Sequence, residues 1–548
     1  MGKKHVLFTG AGIGLLVTAP LLASLYLAEQ AAGMPFPPFD LFDWIARILP
    51  GDVITKGIDT MVALIDKLNL GETSSTAKTL ETLMALAMFL GGGIFAGIVL
   101  VAVLDRLNRP LTGFARYVPG LITGALLGLP MILISRHVNV VADAPESVSV
   151  MWLALAFLTW GAALSWAHVR LRDAKTARTG VVASQPPQAE QVSRRQFLIR
   201  VGGATAAITV VGAGLGRYLE YREDKNYQDL IAKRRAAALP AGLPNQGADV
   251  EPAPGTRPEY TPLDEHYRID INVRPPEISE DGWRLRITGL VDRPLTLTLD
   301  DLYGRYEPMD QYVTLACISN PIGGDLTSTT RWTGASLQDV LADAGVKDGA
   351  THLKITSEDG FFETVAFDLI NSDRRIMLTY HWDGIPLLYK HGFPLRIYIP
   401  DRYGMKQPKW ITEIEVMDHD EDGYWVVRGW DRVAQMRAVS VVDVAASDRT
   451  FEAGGVTYVP VGGIAHAGAR GISKVEVKVD EGEWVEAQLR QPLSDTTWVI
   501  WRYDWPFEAG QHIFRVRCTE GDGTPQIAES NPTKPSGATG IHSLTREL

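Results

Sequence analysis

The run Gln311-Tyr312-Val313-Thr314-Leu315-Ala316-Cys317-Ile318-Ser319-Asn320-Pro321-Ile322-Gly323-Gly324 decides how this chain folds and what it holds. Residues 311–316 read as a strand, and Cys317 closes it. A cysteine is usually a buried small hydrophobe. A thiol at a strand end, facing a loop of small and polar residues, is not a typical core position. A soft thiolate suits a metal held mainly by sulfur. The other cysteine, Cys518, lies in a segment assigned to a different domain. Two cysteines so placed exclude a disulfide framework and a four-cysteine zinc site.

Outward from this run, short strand-like and helix-like signals mix. Trp283 to Gly289 alternates as a half-buried strand, and Thr298 caps a short helix opening at Leu299. Ser336 to Ala344 reads as a second helix, and residues 353–355 and 395–399 as strands. The mixture predicts an α+β domain rather than repeated βαβ units. No glycine-rich nucleotide fingerprint follows these strands.

Four segments, in order, carry a resemblance. Thr314 to Asn320 with Gly323-Gly324, then Arg331-Trp332-Thr333-Gly334, then His391-Gly392-Phe393-Pro394-Leu395-Arg396, then Tyr403-Gly404-Met405 followed by Lys409-Trp410-Ile411, closely resemble the sulfite oxidase family of molybdopterin enzymes. The resemblance runs from about Thr261 to the C-terminus. It implies a molybdenum–molybdopterin cofactor whose metal is bound by Cys317. It also implies cofactor contacts from Tyr267, Arg268, Ser319, Asn320, Asp359, His391, Arg396, Lys406 and Lys409. A pterin tail ends in phosphate, and Arg396, Lys406 and Lys409 are the cations suited to it, Arg as a fork and Lys as a point charge.

Two departures qualify the match. Sulfite oxidases carry a pair of arginines after this cysteine segment, where this chain has Asn320-Pro321-Ile322-Gly323. A buried anion without a fixed cation is costly, which puts sulfite itself in doubt as substrate. The family's haem-binding His-Pro-Gly-Gly segment has no counterpart, so electrons must pass to another carrier, a cytochrome or quinone.

From about Val433 the pattern is all strand: residues 456–462, 472–479, 497–503 and 512–517 alternate between Gly- or Asp-rich turns. An immunoglobulin-like sandwich is expected there, and the resemblance implies a domain that often mediates dimers.

Toward the N-terminus the character changes. The 548-residue chain has a mean hydropathy near zero because two unlike parts average out. Spanning about 30 Å of hydrocarbon takes roughly 20 apolar residues, and five runs qualify: Val6–Leu27, Leu80–Leu104, Val118–Ile134, Val148–His168 and the Gly/Ala-rich Phe197–Leu215. Lys3 and Lys4, then Arg106, Arg109 and Arg116, then the basic run from Arg170 to Arg200 all fall on one side if the N-terminus is cytoplasmic. Residues after Leu215 are then outside. A cleaved first span remains an alternative. Residues 44–49 and 58–68 each hold an apolar helical face, read either as helices on the membrane surface or as a cap over the spans. His137 and His168 near span ends read as interfacial histidines, with haem ligation the alternative, because no second pair of His stands opposite within the spans.

Ser193-Arg194-Arg195-Gln196-Phe197-Leu198 precedes the last of these runs and resembles the twin-arginine export signal. That pathway moves domains already folded, chiefly those that receive a cofactor in the cytoplasm. Residues 218–262 are charged, then rich in Ala, Pro and Gly, and predict an extended tether with a short helix near Tyr227–Ala237.

The chain therefore reads as a transmembrane domain (1–217), a linker (218–263), an α+β catalytic domain (264–430) and an all-β domain (431–548). The activity expected is an extracytoplasmic, multi-pass membrane oxidoreductase that moves an oxygen atom to or from a small substrate. Its other partners are the lipid bilayer and, in a homodimer, a second copy of itself. A net charge of −11 argues against nucleic acid. The competing reading is a cofactor-free binding scaffold on the same fold.

Overall fold

The computed structural model describes residues 3–68, 70–107, 113–138, 144–179, 194–238 and 242–548. The chain divides into two compact units. One comprises Met1–Leu49, Lys78–Leu230 and Asn272–Arg274, the other Pro50–Ala77, Ile231–Ile271 and Pro275–Leu548.

The first unit is helical. The N-terminal helices are α1 (Lys3–Ala32), α2 (Pro37–Ile48), α3 (Gly51–Leu68), α4 (Thr73–Leu107), α5 (Val118–Val138), α6 (Glu146–Thr179) and α7 (Arg194–Ala238). Among the described residues, four stretches are long and apolar enough to cross a membrane: Val6–Ala32, Thr73–Leu107, Val118–Val138 and Glu146–Arg172. Lipid supplies no hydrophobic drive for helix pairing, so close backbone approach at small residues must do it. Gly10 and Gly14 of α1 face the backbone of Gly97, Ile94 and Ile98 in α4, and Gly120 and Gly124 of α5 face that of Gly161 and Phe157 in α6. A Cβ at any of these four would run into backbone. Trp160 Nε1 donates to Thr18 Oγ1 at 3.1 Å within this core.

The two helices expected between the first spans part company. α2 packs into the helical unit through buried Phe36 and Phe39, and Ser135 donates to its Asp40 at 2.5 Å. α3 belongs to the second unit. The expected fifth span falls within α7, and Ser193 and the side chains of 194–201 lie outside the described residues. The short helix expected near Tyr227–Ala237 is present as the end of α7, which runs unbroken to Ala238, so the first part of the expected tether is helical as well. The last turns of α7, Tyr227 to Ala238, are mainly good helix formers with no Gly or Pro.

The second unit begins with the rest of that tether, which is stitched down rather than loose. Arg257 grips Asp443 at 2.7 Å, Asn245 donates to the Gln491 carbonyl at 2.7 Å, and Arg490 pairs with Glu259 at 3.0 Å while donating to the Val250 carbonyl at 2.8 Å.

Two sheets build the α+β part. One has the order β2 (Leu295–Leu297), β1 (Leu285–Gly289), β10 (Ile411–Met417), β5 (His352–Ser357), β6 (Phe362–Ala366), with only β1–β10 parallel. The other is antiparallel: β3 (Pro308–Ala316), β4 (Thr327–Ser336), β7 (Met377–Trp382), β8 (Ile385–Pro386), with β9 (Arg396–Tyr398) added to β7. Short helices α8 (Leu299–Arg305), α9 (Leu337–Ala344) and α10 (Phe367–Ser372) accompany them. Thr298 and Asp301 form a capping box on α8, and the Ser336 side chain caps α9.

The C-terminal part is two antiparallel sheets. One joins β11 (Val439–Ala445), β13 (Val456–His466), β17 (Val499–Pro506) and β16 (Gln488–Leu489), with β12 (Phe451–Ala453) beside β13. The other joins β15 (Val485–Glu486), β14 (Ile472–Val479), β18 (Gln511–Glu520) and β19 (His542–Glu547). Val442, Val461, Val475, Trp501, Phe514 and Val516 form a shared core between them. Cys518 lies within β18, not at the end of the last strand, because β19 follows and pairs with β18. Its backbone N–H donates to Gln526 at 3.0 Å, as befits a structural residue.

Candidate functional site

Cys317 stands where β3 ends and the chain turns to start β4. Its N–H donates to the Leu326 carbonyl at 2.9 Å, closing the loop. Within the loop, Asn320 Oδ1 accepts the Leu326 N–H at 3.0 Å, and Gly323 takes φ +84 with the His542 imidazole packed where a Cβ would sit. The thiol is 9% exposed, and its Sγ lies 3.0 Å from Ser319 Oγ. Burial raises its pKa; the Ser319 hydrogen bond and the positive charge of Lys409 oppose that. Tyr267 and Tyr403 are buried close enough to sense the thiol's charge.

β9 pairs with β7 and brings the 391–396 segment to the second sheet, with Arg396 opposite Thr379. Arg396 is 4% exposed and lies with its guanidinium 4.5 Å from the Trp332 ring centre. It donates to the His391 carbonyl at 3.1 Å, while its Nε has no partner. Burial lowers its pKa to about 10, which still leaves it charged at neutral pH. Gly392, at φ +110, permits the close approach that follows: a Cβ there would press on both Arg396 and Lys409 at 3.1–3.2 Å. Lys409 donates to the Ile269 carbonyl at 3.0 Å, lies 3.5 Å from Asp270 and rests on the Trp410 ring. Burial lowers its ammonium to about 7, against the pull of Asp270. Arg268 is held by Asp270 at 2.6 Å. Asp359, 2% exposed, accepts the Phe361 N–H at 3.0 Å and is felt by Lys409.

The structure thus gathers Tyr267, Arg268, Asp359, His391, Arg396 and Lys409 near the Cys317–Asn320 loop. Lys406, the remaining residue expected at the cofactor, sits in a buried ion pair. Its Nζ donates to Glu363 at 2.7 Å and to the Thr364 carbonyl at 3.0 Å, and both charged groups are buried. A lysine closed into such a pair has given its charge to the fold.

One residue escaped the sequence. His266 is buried against Tyr267, Trp382 and His391. Its Nδ1 faces the Tyr267 carbonyl at 3.0 Å and so carries the proton, leaving Nε2 as an unpartnered acceptor. Burial depresses the pKa of His266 to about 3 and that of His391 well below the usual histidine range, so both are neutral. Only its place beside Tyr267 pointed to it.

The fit to a pterin cofactor can be judged from the orphaned polar atoms. Arg396 Nε, His391 Nε2, His266 Nε2, Thr379 Oγ1, Trp382 Nε1, Arg331 Nε and Ser357 Oγ are all buried with no hydrogen-bond partner. Each such atom costs about 1–3 kcal/mol unless a ligand supplies its bond. Those of His266, His391, Thr379, Trp382 and Arg396, brought together by β7 and the 391–396 segment, offer donors and acceptors to a polar heterocycle, while Arg396 and Lys409 offer two cations to a phosphate and Cys317 a thiol to a metal. The residues fit the group.

Comparisons with known proteins agree. Residues 272–425 match the model of the oxidoreductase molybdopterin binding domain. Human mitochondrial sulfite oxidase is 28% identical over 297 residues, covering 45% of this chain and 53% of that protein. Nitrate reductase [NADH] 1 of Oryza sativa subsp. japonica is 28% identical over 301 residues, covering 44% and 33%. The sulfane dehydrogenase SoxCD from Paracoccus pantotrophus is similar at a TM-score of 0.47 and 19% identity, over 56% of this chain and 86% of that one. The chain spans about half the length of the sulfite oxidases it matches.

Proposed function

Since residues 272–425 are a sulfite oxidase-type domain for the molybdenum–molybdopterin cofactor, we propose that the chain is a membrane-anchored, extracytoplasmic oxidoreductase that transfers an oxygen atom to or from a small substrate. The observation that carries this is a buried thiol at a strand end beside a set of unpartnered buried donors. The cofactor supplies the two-electron redox change and the site of oxygen transfer. The residues do the rest. Cys317 would ligate the metal, and Ser319 and Asn320 shape its loop. Arg396 and Lys409 hold the anionic tail by fixed charge. His391, as a neutral donor, joins Tyr267, Arg268 and Asp359 in orienting the heterocycle. Lys406 completes the proposed set from its buried pair with Glu363. Oxidation releases two electrons and two protons per oxygen taken from water, and reduction reverses this. The electrons are exchanged with a cytochrome or the quinone pool.

The remaining architecture belongs to the same reading. Residues 1–217 anchor the protein through five spans, with the N-terminus cytoplasmic. Residues 193–198 direct export of a folded domain, and 218–263 form the linker. Residues 264–430 catalyse, and 431–548 are an immunoglobulin-like sandwich suited to dimers. Four of the five spans are apolar helices of sufficient length.

The test is metal and pterin content of the detergent-purified chain beside a Cys317→Ser variant. About one molybdenum and one pterin per chain are expected, with an altered metal spectrum in the variant. Protein made with cofactor synthesis and export intact, yet free of molybdenum, would leave only the binding scaffold.

A further inference from the structure

The loop that begins at Cys317 is fastened at its far end to a residue remote in sequence. The backbone N–H of Thr73 donates to Asp325 Oδ2 at 2.8 Å, and Thr73 is the first residue of α4. The first-turn N–H groups of a helix have no acceptor inside it, and a carboxylate there is favoured by the helix dipole. Asp325 therefore caps α4 from a distance of 252 residues. The capped turn is buried, not frayed: Thr73, Ser74 and Ala77 are 7, 3 and 6% exposed. The residue next to Asp325 is Leu326. Its carbonyl accepts the Cys317 N–H at 2.9 Å, and its own N–H is held by Asn320 at 3.0 Å. One hydrogen bond, one peptide link and a second hydrogen bond thus join the start of α4 to the backbone of the thiol.

We infer that Asp325 is a positioning residue for Cys317: by capping α4 it fixes Leu326, and through Leu326 the strand end that presents the thiol. The first turn of α4 and the cysteine loop then move as one. The inference goes beyond the proposed activity, because the path exists in the polypeptide alone.

The test uses the full-length chain in detergent, expressed without cofactor synthesis, and measures maleimide labelling of each cysteine by peptide mass. Cys518, buried in β18, is the internal control. Asp325→Ala should raise Cys317 labelling about fivefold, the factor expected for a lost cap, and leave Cys518 unchanged. Asp325→Asn keeps an acceptor and should stay near the parent rate. Thr73→Pro deletes the donor at a position where helices accept proline and should match Asp325→Ala. The double variant should exceed neither single one, since both break the same bond. Unchanged Cys317 labelling, a parallel rise at Cys518, or additive effects in the double variant would each overturn the inference. A chain that proves free of molybdenum would sink the proposed function but leave this result standing.

Discussion

The second unit buries large aromatic residues in two places and treats them in opposite ways. Trp501 in the C-terminal sheets and Trp382 beside the cofactor site are both fully buried. Trp501 Nε1 finds acceptors in the Val441 and Ile464 carbonyls, at 3.2 and 3.3 Å. Trp382 Nε1 finds none, and its neighbours His391, His266 and Arg396 each keep an unpartnered atom too. The sheet pair, apart from His466 and Trp498, satisfies its buried polar side chains from within. A core complete in itself holds a shape, whereas a core with unanswered donors awaits a ligand. The difference sets the two halves of the unit apart in how their buried polar atoms are satisfied.

Three substitutions probe that contrast. The largest effect is expected in the self-sufficient core: Trp501→Ala should lower stability by about 3–5 kcal/mol, with or without cofactor, in chemical denaturation followed by tryptophan fluorescence. A cofactor-dependent loss there would erase the distinction between the two regions. Arg396→Met should do the reverse. Without cofactor it removes a buried, half-satisfied cation and should stabilise the chain by about 1–4 kcal/mol. In loaded protein it should lower pterin retention on a desalting column. Destabilisation in both states would make Arg396 a structural residue.

The smallest effect concerns Lys409. Its folded value of about 7 lies below its ordinary 10.5. Between those limits the unfolded chain holds a proton that the folded chain has released, so stability of the cofactor-free protein rises with pH across that window. The slope is roughly 1.4 kcal/mol per pH unit at most. Lys409→Met should flatten that part of the profile, and a bound anionic tail should do so as well by keeping the ammonium charged. An unchanged slope in the variant would show that Asp270 already holds the charge.

Much of this was legible in the residues. Thr298 and Ser336 announce their helices because capping is local, and Cys317 announces itself because a thiol after a strand is out of place in a core. What was not legible depends on partners far along the chain. Lys406 looks like Lys409 in sequence, and only Glu363, 43 residues earlier, separates their fates. His266 belongs to no spacing pattern, and its role comes from rings contributed by β7 and the 391 segment. β19 was missed because its residues are mostly exposed and hold no clear alternation of apolar side chains. Residues 218–226 read as tether although they continue α7, because a charged run speaks for either state.

The stitched tether also sets an order of events in time. Glu259 must wait for Arg490, which lies 231 residues later in the chain. At about 5–20 residues per second, that is roughly 10–50 s of synthesis during which the carboxylate has no guanidinium. The sheets of the α+β part, whose strands all lie before residue 418, can pair within that interval. The tether then loses its freedom only after Arg490 has been made, and protease sensitivity of residues 242–262 during synthesis would time that step.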